Sequence, residues 1–381
     1  MNEHNSVPNM RFKGFEDEWK VIKINYIVNI KAGGDLEKNK LLKDGKYPVI
    51  GNTLKNNGII GYTNTFKIEA PAVTVTGRGE IGKAFYQPKP FTPVVRLLAL
   101  VPKSKNIDMK FLSNEIENLN FFSESTGVPQ LTAPELGTYK VGLTECSEQQ
   151  EIGNLFDKLE KLLDLQQHKI DKLELLKKAL LKKLFPNHDD KIPELRFNGF
   201  EVDWKEKKLS HLVDIIMGQS PSSTNYFDTP IENSMILIQG NADIKHHNVK
   251  PRIWTTQITK IAMPKDVLLT VRAPVGEVAK NEYKAVIGRG MAALRGNYFL
   301  YYNLEKLKVV GYWERLSTGS TFESISSNDI SDAKIKISSF KEQKKIYNFL
   351  SKVDQLIELE NKKLQDFQQV KKCLLQNMFV E

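Results

Sequence analysis

The chain is 381 residues long, 40% hydrophobic and 27% charged, with 55 basic against 46 acidic side chains and a net charge of +9. That length accommodates two or three domains with cores of their own, and a pI of about 9.1 favours an anionic partner, most simply nucleic acid. No stretch approaches the roughly 20 apolar residues of a membrane span, the N-terminus lacks the apolar run of a signal peptide, and the two cysteines lack the Cys-x-x-Cys spacing of a structural zinc site, which fits a reducing cytoplasm.

The first element is a box, VPNMRFKGFEDEWK (Val7 to Lys20). It returns as IPELRFNGFEVDWK (Ile192 to Lys205), with eight of fourteen positions identical. A duplication of this length points to a protein that recognises two similar things, or one thing with two halves. Short runs of Val, Ile, Thr and Tyr come after each box, such as Tyr47–Gly51 and Met235–Gln239, broken by Gly, Pro and Asn. They read as strands and loops of an irregular β-rich body. Later in each copy comes a strand and an arginine turn, VTVTGRGEIGKAF (Val73 to Phe85) and VLLTVRAPVGEVA (Val267 to Ala279). Thr76, Arg78 and Gly82 align with Thr270, Arg272 and Gly276, and further on Ser125-Thr126-Gly127 matches Ser317-Thr318-Gly319.

Each copy ends in a long amphipathic helix. Capping boxes are expected at Ser147-Glu-Gln-Gln150, with Gln150 reaching back to the serine, and at Ser339-Phe-Lys-Glu342. Apolar residues then recur with spacings of three and four: Phe156, Leu159, Leu163, Ile170, Leu173, Leu180 and Leu184. A shift of 194 gives Leu350, Val353, Ile357, Leu364, Phe367, Leu374 and Met378, and even the polar interruptions coincide, Gln166 with Glu360 and Lys177 with Lys371. The shared seam predicts an antiparallel coiled-coil pair of helices, each about 33 residues and roughly 50 Å long. Two amphipathic helices packed separately on their own domains are the plainer alternative. The expected organisation is α+β, with a β-rich domain over 1–146, a helix over 147–186 stopped by Pro186, a second β-rich domain over 187–338 and a second helix over 339–381.

Catalytic signatures are absent. Gly77-Arg-Gly-Glu-Ile-Gly82 matches G-x-G-x-x-G, but Phe85-Tyr-Gln-Pro-Lys-Pro90 cannot supply the helix whose N-terminus would face phosphate. Ala84 stands where a P-loop needs Ser or Thr, and the second copy has Ala273-Pro274 in place of glycines. A tight strand–turn–strand presenting Arg78, and Arg272 in the other copy, is the better reading. No G-x-S-x-G, H-E-x-x-H or (Asn/Asp)-Pro-Pro-Tyr occurs.

The loops are rich in groups that contact nucleic acid. In the first copy these are Lys31, Asn52, Lys55, Asn56, Arg78, Lys83 and Gln130; in the second, Gln219, Ser220, Ser222, Gln239, Asn241, Lys245, His246, Arg272 and Arg289. Arg and Lys suit guanine edges, Asn and Gln suit adenine edges, and lysines and hydroxyls also hold phosphates. For any one of them a surface role is the plain alternative.

The paired P-x-x-R-F-x-G-F-x-x-x-W boxes, the Gly218-Gln-Ser-Pro-Ser222 segment and the paired helix starts Glu148-Gln-Gln-Glu-Ile152 and Glu342-Gln-Lys-Lys-Ile346 resemble the specificity subunit of a type I restriction–modification system. The first copy departs from this pattern with Lys31-Ala-Gly-Gly-Asp35. The resemblance implies two target recognition domains, each reading half of a split double-stranded DNA target. It implies a two-helix spacer related by a pseudo-twofold internal repeat, on which two methyltransferase (modification) subunits dock. S-adenosylmethionine, ATP and Mg²⁺ would belong to those partners and to motor-nuclease restriction subunits. This chain would bind no cofactor or metal and touch no membrane. The competing readings are a stand-alone two-headed DNA-binding regulator and a coiled-coil scaffold protein.

Overall fold

The computed structural model describes residues 7–36, 41–122, 127–187, 189–317 and 324–380. Ser125, Thr126, Thr318 and Gly319 of the repeated Ser-Thr-Gly landmark lie outside them. The chain divides into two units, residues 1–167 with 363–381, and residues 168–362. The long helices, Cys146–Lys183 and Phe340–Asn377, run 38 residues each. Each contributes one part to either unit, and the ends of the seam join the cores of the β-rich bodies: Ile152, Phe156 and Met378 in the first unit, Leu180, Leu184, Ile346 and Leu350 in the second.

In the first unit a four-stranded antiparallel sheet runs in the spatial order Val28–Ala32, Leu97–Pro102, Ala72–Thr76, Ala84–Gln87. A three-stranded sheet holds Ile59–Thr63, Tyr47–Ile50 and Thr92–Pro93. The central strand Ala72–Thr76 is buried on both faces. Alternation divides it: Val73 and Val75 join a core with the helix Met109–Asn118, Ile152, Phe156 and Phe379, while Ala72 joins Ile50, Ile68 and Phe91 on the other side. In this unit Glu160 pairs with Lys371 and Phe156 packs on Phe379 (5.6 Å), so the two helix segments run antiparallel.

The second unit repeats the plan. Its six-stranded sheet has the order Asp214–Met217, Met291–Arg295, Val267–Thr270, Val278–Lys280, Asn248–Val249, Ile244–Lys245, beside a five-stranded sheet around Met235–Ile238. Val267 and Leu269 face a core with Leu180, Leu184, Ile346, Leu350 and the helix Tyr298–Val309, whereas Leu268 faces Ile238, Ala279 and Ile287. Lys169 meets Glu360 (2.9 Å) and Lys177 meets Asp354 (2.7 Å), so here too the helix segments are antiparallel.

The seam lies where the spacing places it. Phe156, Leu159, Ile170, Leu180 and Leu350 are buried, and Leu163, Leu173, Val353, Ile357, Leu364, Phe367 and Leu374 are half-buried. The capping boxes differ from expectation. Ser147 Oγ donates to Glu145 instead of capping, because the helix begins one residue earlier, at Cys146. Gln150 reaches Cys146 Sγ (3.6 Å), not the serine; Ser339 Oγ does accept from the Glu342 N–H (3.4 Å), but Glu342 turns its carboxylate to Arg196 instead of back along the chain. Among the described residues no helix is long and apolar enough to cross a membrane.

Candidate nucleic-acid interface

In each unit several strands end together on one edge of the sheets, and that edge carries most of the side chains suited to DNA. In the first unit a single hydroxyl shapes the arginine turn. Thr76 Oγ1 donates to the Glu80 carbonyl (2.5 Å) and accepts from the Lys83 N–H (3.0 Å). Asn52 grips the turn from outside. Its Oδ1 accepts from the N–H groups of Gly77 (2.8 Å) and Arg78 (3.3 Å), and its Nδ2 donates to the Arg78 carbonyl (2.8 Å). The turn leads into the strand Ala84–Gln87, not a helix, so the glycines make no phosphate cradle. Gly82, at φ +79°, leaves no room for a Cβ, which would stand 2.0 Å from the Phe121 ring.

The second unit builds the same turn from different residues. Thr270 Oγ1 donates to the Pro274 carbonyl (2.7 Å) and accepts from the Glu277 N–H (2.8 Å). Gly276, at φ +85°, would place a Cβ 2.7 Å from Trp313. Arg78 bridges to Gln130, and Arg272 bridges to Ser324. The Gly218-Gln-Ser-Pro segment is welded to this edge. Gly218 donates to the Met291 carbonyl (2.8 Å), and a Cβ on it would meet the Gly288 oxygen at 2.1 Å. Ser220 Oγ accepts from the Arg289 N–H (3.1 Å). Gly33 holds the same place in the first unit: it donates to the Leu97 carbonyl (2.7 Å), and its Cβ would lie 2.0 Å from the Val94 oxygen. The departure from the Gly-Gln-Ser-Pro pattern is thus a change of the residues after the glycine, not of its role.

Most of the expected residues gather on these edges. Lys31, Lys55, Asn56, Lys83 and Gln130 are exposed in the first unit, with Arg78 half-buried; Gln219, Ser222, Asn241, Arg272 and Arg289 are exposed in the second, with Ser220 and Gln239 half-buried. Gln239 is positioned by the buried Asp243, whose Oδ2 accepts from its N–H (2.7 Å) while Oδ1 accepts from Arg252 (3.0 Å). Asn52 reaches the edge, but its amide is spent on the turn.

Lys245 and His246 do not join them. His246 and His247 are left-handed (φ 48° and 62°) in a turn between the last two short strands of the large sheet. Asn248 pairs with Lys280 and Lys280 with Val267, at the end of that strand opposite Arg272. There His246 lines a cleft of about 830 Å³ beside Lys177, Lys280 and Asp354. Periodicity puts Lys245 in a strand but does not say which end of the sheet its turn occupies. Conversely, the structure adds Arg96, exposed and left-handed (φ 73°). It also adds Lys67, whose amine lies 3.7 Å from where a Gly34 Cβ would be. No sequence motif marks either residue.

The repeated box has a different task. Arg11 makes a fork to Glu148 (2.6 and 2.8 Å), and Arg196 makes one to Glu342 (2.8 and 3.0 Å). The carboxylate bonds hold both guanidinium pKa values above the ordinary value, outweighing desolvation. The residue before each arginine caps a helix end: Met10 donates to the Asn377 carbonyl (2.8 Å), and Leu195 to the Lys183 carbonyl (2.9 Å). Trp19 packs on Phe111 (5.5 Å) and Phe379 (6.2 Å), Trp204 on Phe185 (5.9 Å) and Phe299 (6.0 Å). The box is therefore a clasp between the start of one long helix and the end of the other.

Comparison with known proteins agrees with this duplicated plan. The family described as the type I restriction modification DNA specificity domain matches residues 16–175 and again 201–369. The chain belongs to this family. A Methanocaldococcus jannaschii relative described as the specificity subunit of type I restriction enzyme MjaX is 26% identical over 396 residues, covering 94% of this chain and 92% of its own length. A Mycoplasma pneumoniae type I specificity subunit, S.MpnORF89P, is 30% identical over 179 residues, covering 45% of this chain and 52% of its own. The specificity-subunit fold is shared with the crystal structure of the type I S subunit from M. genitalium (TM-score 0.66, 18% identity, 98% of this chain and 99% of that one). A structure concerned with complex assembly and conformational transition of the type I R-M system is also similar, with a TM-score of 0.58, 22% identity, and 94% and 96% covered.

Proposed function

We propose that this chain is the DNA-reading part of a type I restriction–modification complex and carries no chemistry of its own. Each unit reads one half of a split, asymmetric target, and the helices fix the unread spacer between the halves. The observation that carries this is the pair of threonine-stapled arginine turns. Thr76 and Thr270 make the same two bonds 194 residues apart, yet the residues around them differ: Gly34 and Asp35 come after the first edge glycine, Gln219 and Ser220 after the second. A common scaffold with different reading groups is what two unlike half-sites require.

Docking of two methyltransferase subunits is supported by apolar side chains that the seam leaves outside. Leu162, Leu165 and Val370 are exposed in the first unit, and Leu356, Leu359 and Leu176 in the second, each set being the other's counterpart under the 194-residue shift. S-adenosylmethionine, ATP and Mg²⁺ would then reside on methyltransferase and motor-nuclease partners, with the target adenine flipped into a partner's pocket.

The test is the methylated-adenine motif of the host genome. It should be bipartite, and exchanging residues 20–140 for those of a relative should rewrite one half only. A change in both halves refutes one unit per half-site. Affinity should also fall steeply with salt, which a scaffold would not show. Tight specific binding by the isolated chain would favour the stand-alone regulator.

A further inference from the structure

Each unit has a lysine at a seam position, buried at Lys177 and half-buried at Lys371, and the two are counterparts under the repeat. Lys177 Nζ lies 2.7 Å from Asp354 of the other long helix and 3.5 Å from Glu305, on the domain helix Tyr298–Val309. Lys371 Nζ contacts Glu160 of the other long helix and lies 2.9 Å from Glu117, on the domain helix Met109–Asn118. All three members correspond: Lys177 with Lys371, Asp354 with Glu160, Glu305 with Glu117. Each lysine therefore joins three helices, two from the seam and one from a recognition domain.

Stability alone does not account for this. An apolar residue at a seam position packs as well or better, since desolvating a lysine and its acids consumes most of what their attraction returns. A polar group at a seam position instead selects one arrangement among several that pack equally well. In the second unit the joint reaches the sheet itself: Lys280, at the end of the strand pair opposite Arg272, also bonds Asp354 (2.9 Å), and Tyr302 donates to the same carboxylate (2.8 Å). Five residues of strand separate that end from Arg272, about 17 Å at 3.3 Å per residue. A tilt of about 10° at the joint moves the reading edge by about 3 Å, close to one base-pair step of 3.4 Å.

We propose that Lys177 and Lys371 are positioning residues that fix the angle of each recognition domain on its helices, and so set how strictly the complex holds its half-sites to one spacer length. This rests on the bipartite reading above. The test uses the full chain assembled with its methyltransferase subunits. The probes are duplexes carrying the genome-derived motif with the native spacer and with one base pair added or removed. Wild type should methylate the native spacer in strong preference. In Lys177→Met and Lys371→Met that preference should fall about tenfold, the worth of a lost charged hydrogen bond, with Lys→Arg restoring it. A merely structural role would lower methylation at every spacer length alike and leave the preference unchanged, which would overturn the proposal. If the methionine variants do not fold, Glu305→Gln and Glu117→Gln weaken the same joint from the domain side, and an unchanged preference there overturns it equally. A wild-type complex indifferent to spacer length refutes the bipartite reading itself, whatever the variants do.

Discussion

Replacing Arg11 with methionine tests whether the repeated box is a clasp. The substitution keeps the aliphatic stem and removes the fork to Glu148, whose side chain has 0% exposure. Stranding one member of a buried pair costs about 3–5 kcal/mol. Two features cushion Glu148: Thr144 Oγ1 still donates to it, and the first turn of the helix favours negative charge by about 0.3–1 kcal/mol. The low end, about 3 kcal/mol, is therefore expected, a melting shift of about 6–12 °C for a unit of this size. Hydrogen exchange should localise the loss, with amides of residues 146–156 opening about a hundredfold more often while those of 340–350 are unchanged. Glu148→Gln in the Arg11→Met background should recover part of it, because the stranded charge is gone. A loss below about 0.5 kcal/mol, within the range of an ordinary surface substitution, or no relief from Glu148→Gln, would refute the clasp.

Four further outcomes are expected. Arg78→Ala should weaken binding by about 1–3 kcal/mol and relax one half-site only, with Arg272→Ala doing the same for the other, as footprinting on half-site variants would reveal. Glu115 is fully buried with one oxygen unbonded, and burial pushes its pKa well above the usual range. The folded state thus holds this proton more tightly than the unfolded chain does, so stability is lost as pH rises past about 4.5. Glu115→Gln should raise the melting temperature at pH 8 but not at pH 4, and an equal shift at both would contradict this. Aligned on Phe111 with Phe299 and Glu117 with Glu305, Glu115 falls on Asn303, so the second copy already holds an amide there. Gly82→Ala and Gly276→Ala should each destabilise their unit measurably in denaturant titrations, the former more, since its Cβ meets Phe121 at 2.0 Å against 2.7 Å to Trp313. Deleting four residues within 155–183 should change the allowed spacer or abolish binding; the native spacer requirement retained at full affinity would rule out a helical ruler.

The sequence alone determined what depends on local period and on repetition. Phe156 to Leu374 could be placed in a seam because a buried stripe on a helix must recur every three or four residues, and the copies corroborate each other. Thr76, Arg78 and Gly82 announced a turn because Thr270, Arg272 and Gly276 share their spacing. Tertiary structure decided which ends of the strands come together. Lys245 and His246 look like reading residues beside Asn241, yet their turn lies at the other end of the sheet, since strand order is fixed by contacts remote in sequence. Arg96 was hidden because a left-handed residue at a strand start has no motif. The box was legible as a repeat but not as a clasp, because its partners, Glu148 and Phe379, are 137 and 360 residues away from Arg11 and Trp19. Lys177 and Lys371 read as flaws in an apolar seam until the carboxylates of two domain helices were found against them. Spacing can locate a polar group on a helix face, but only the fold brings the charge that justifies burying it.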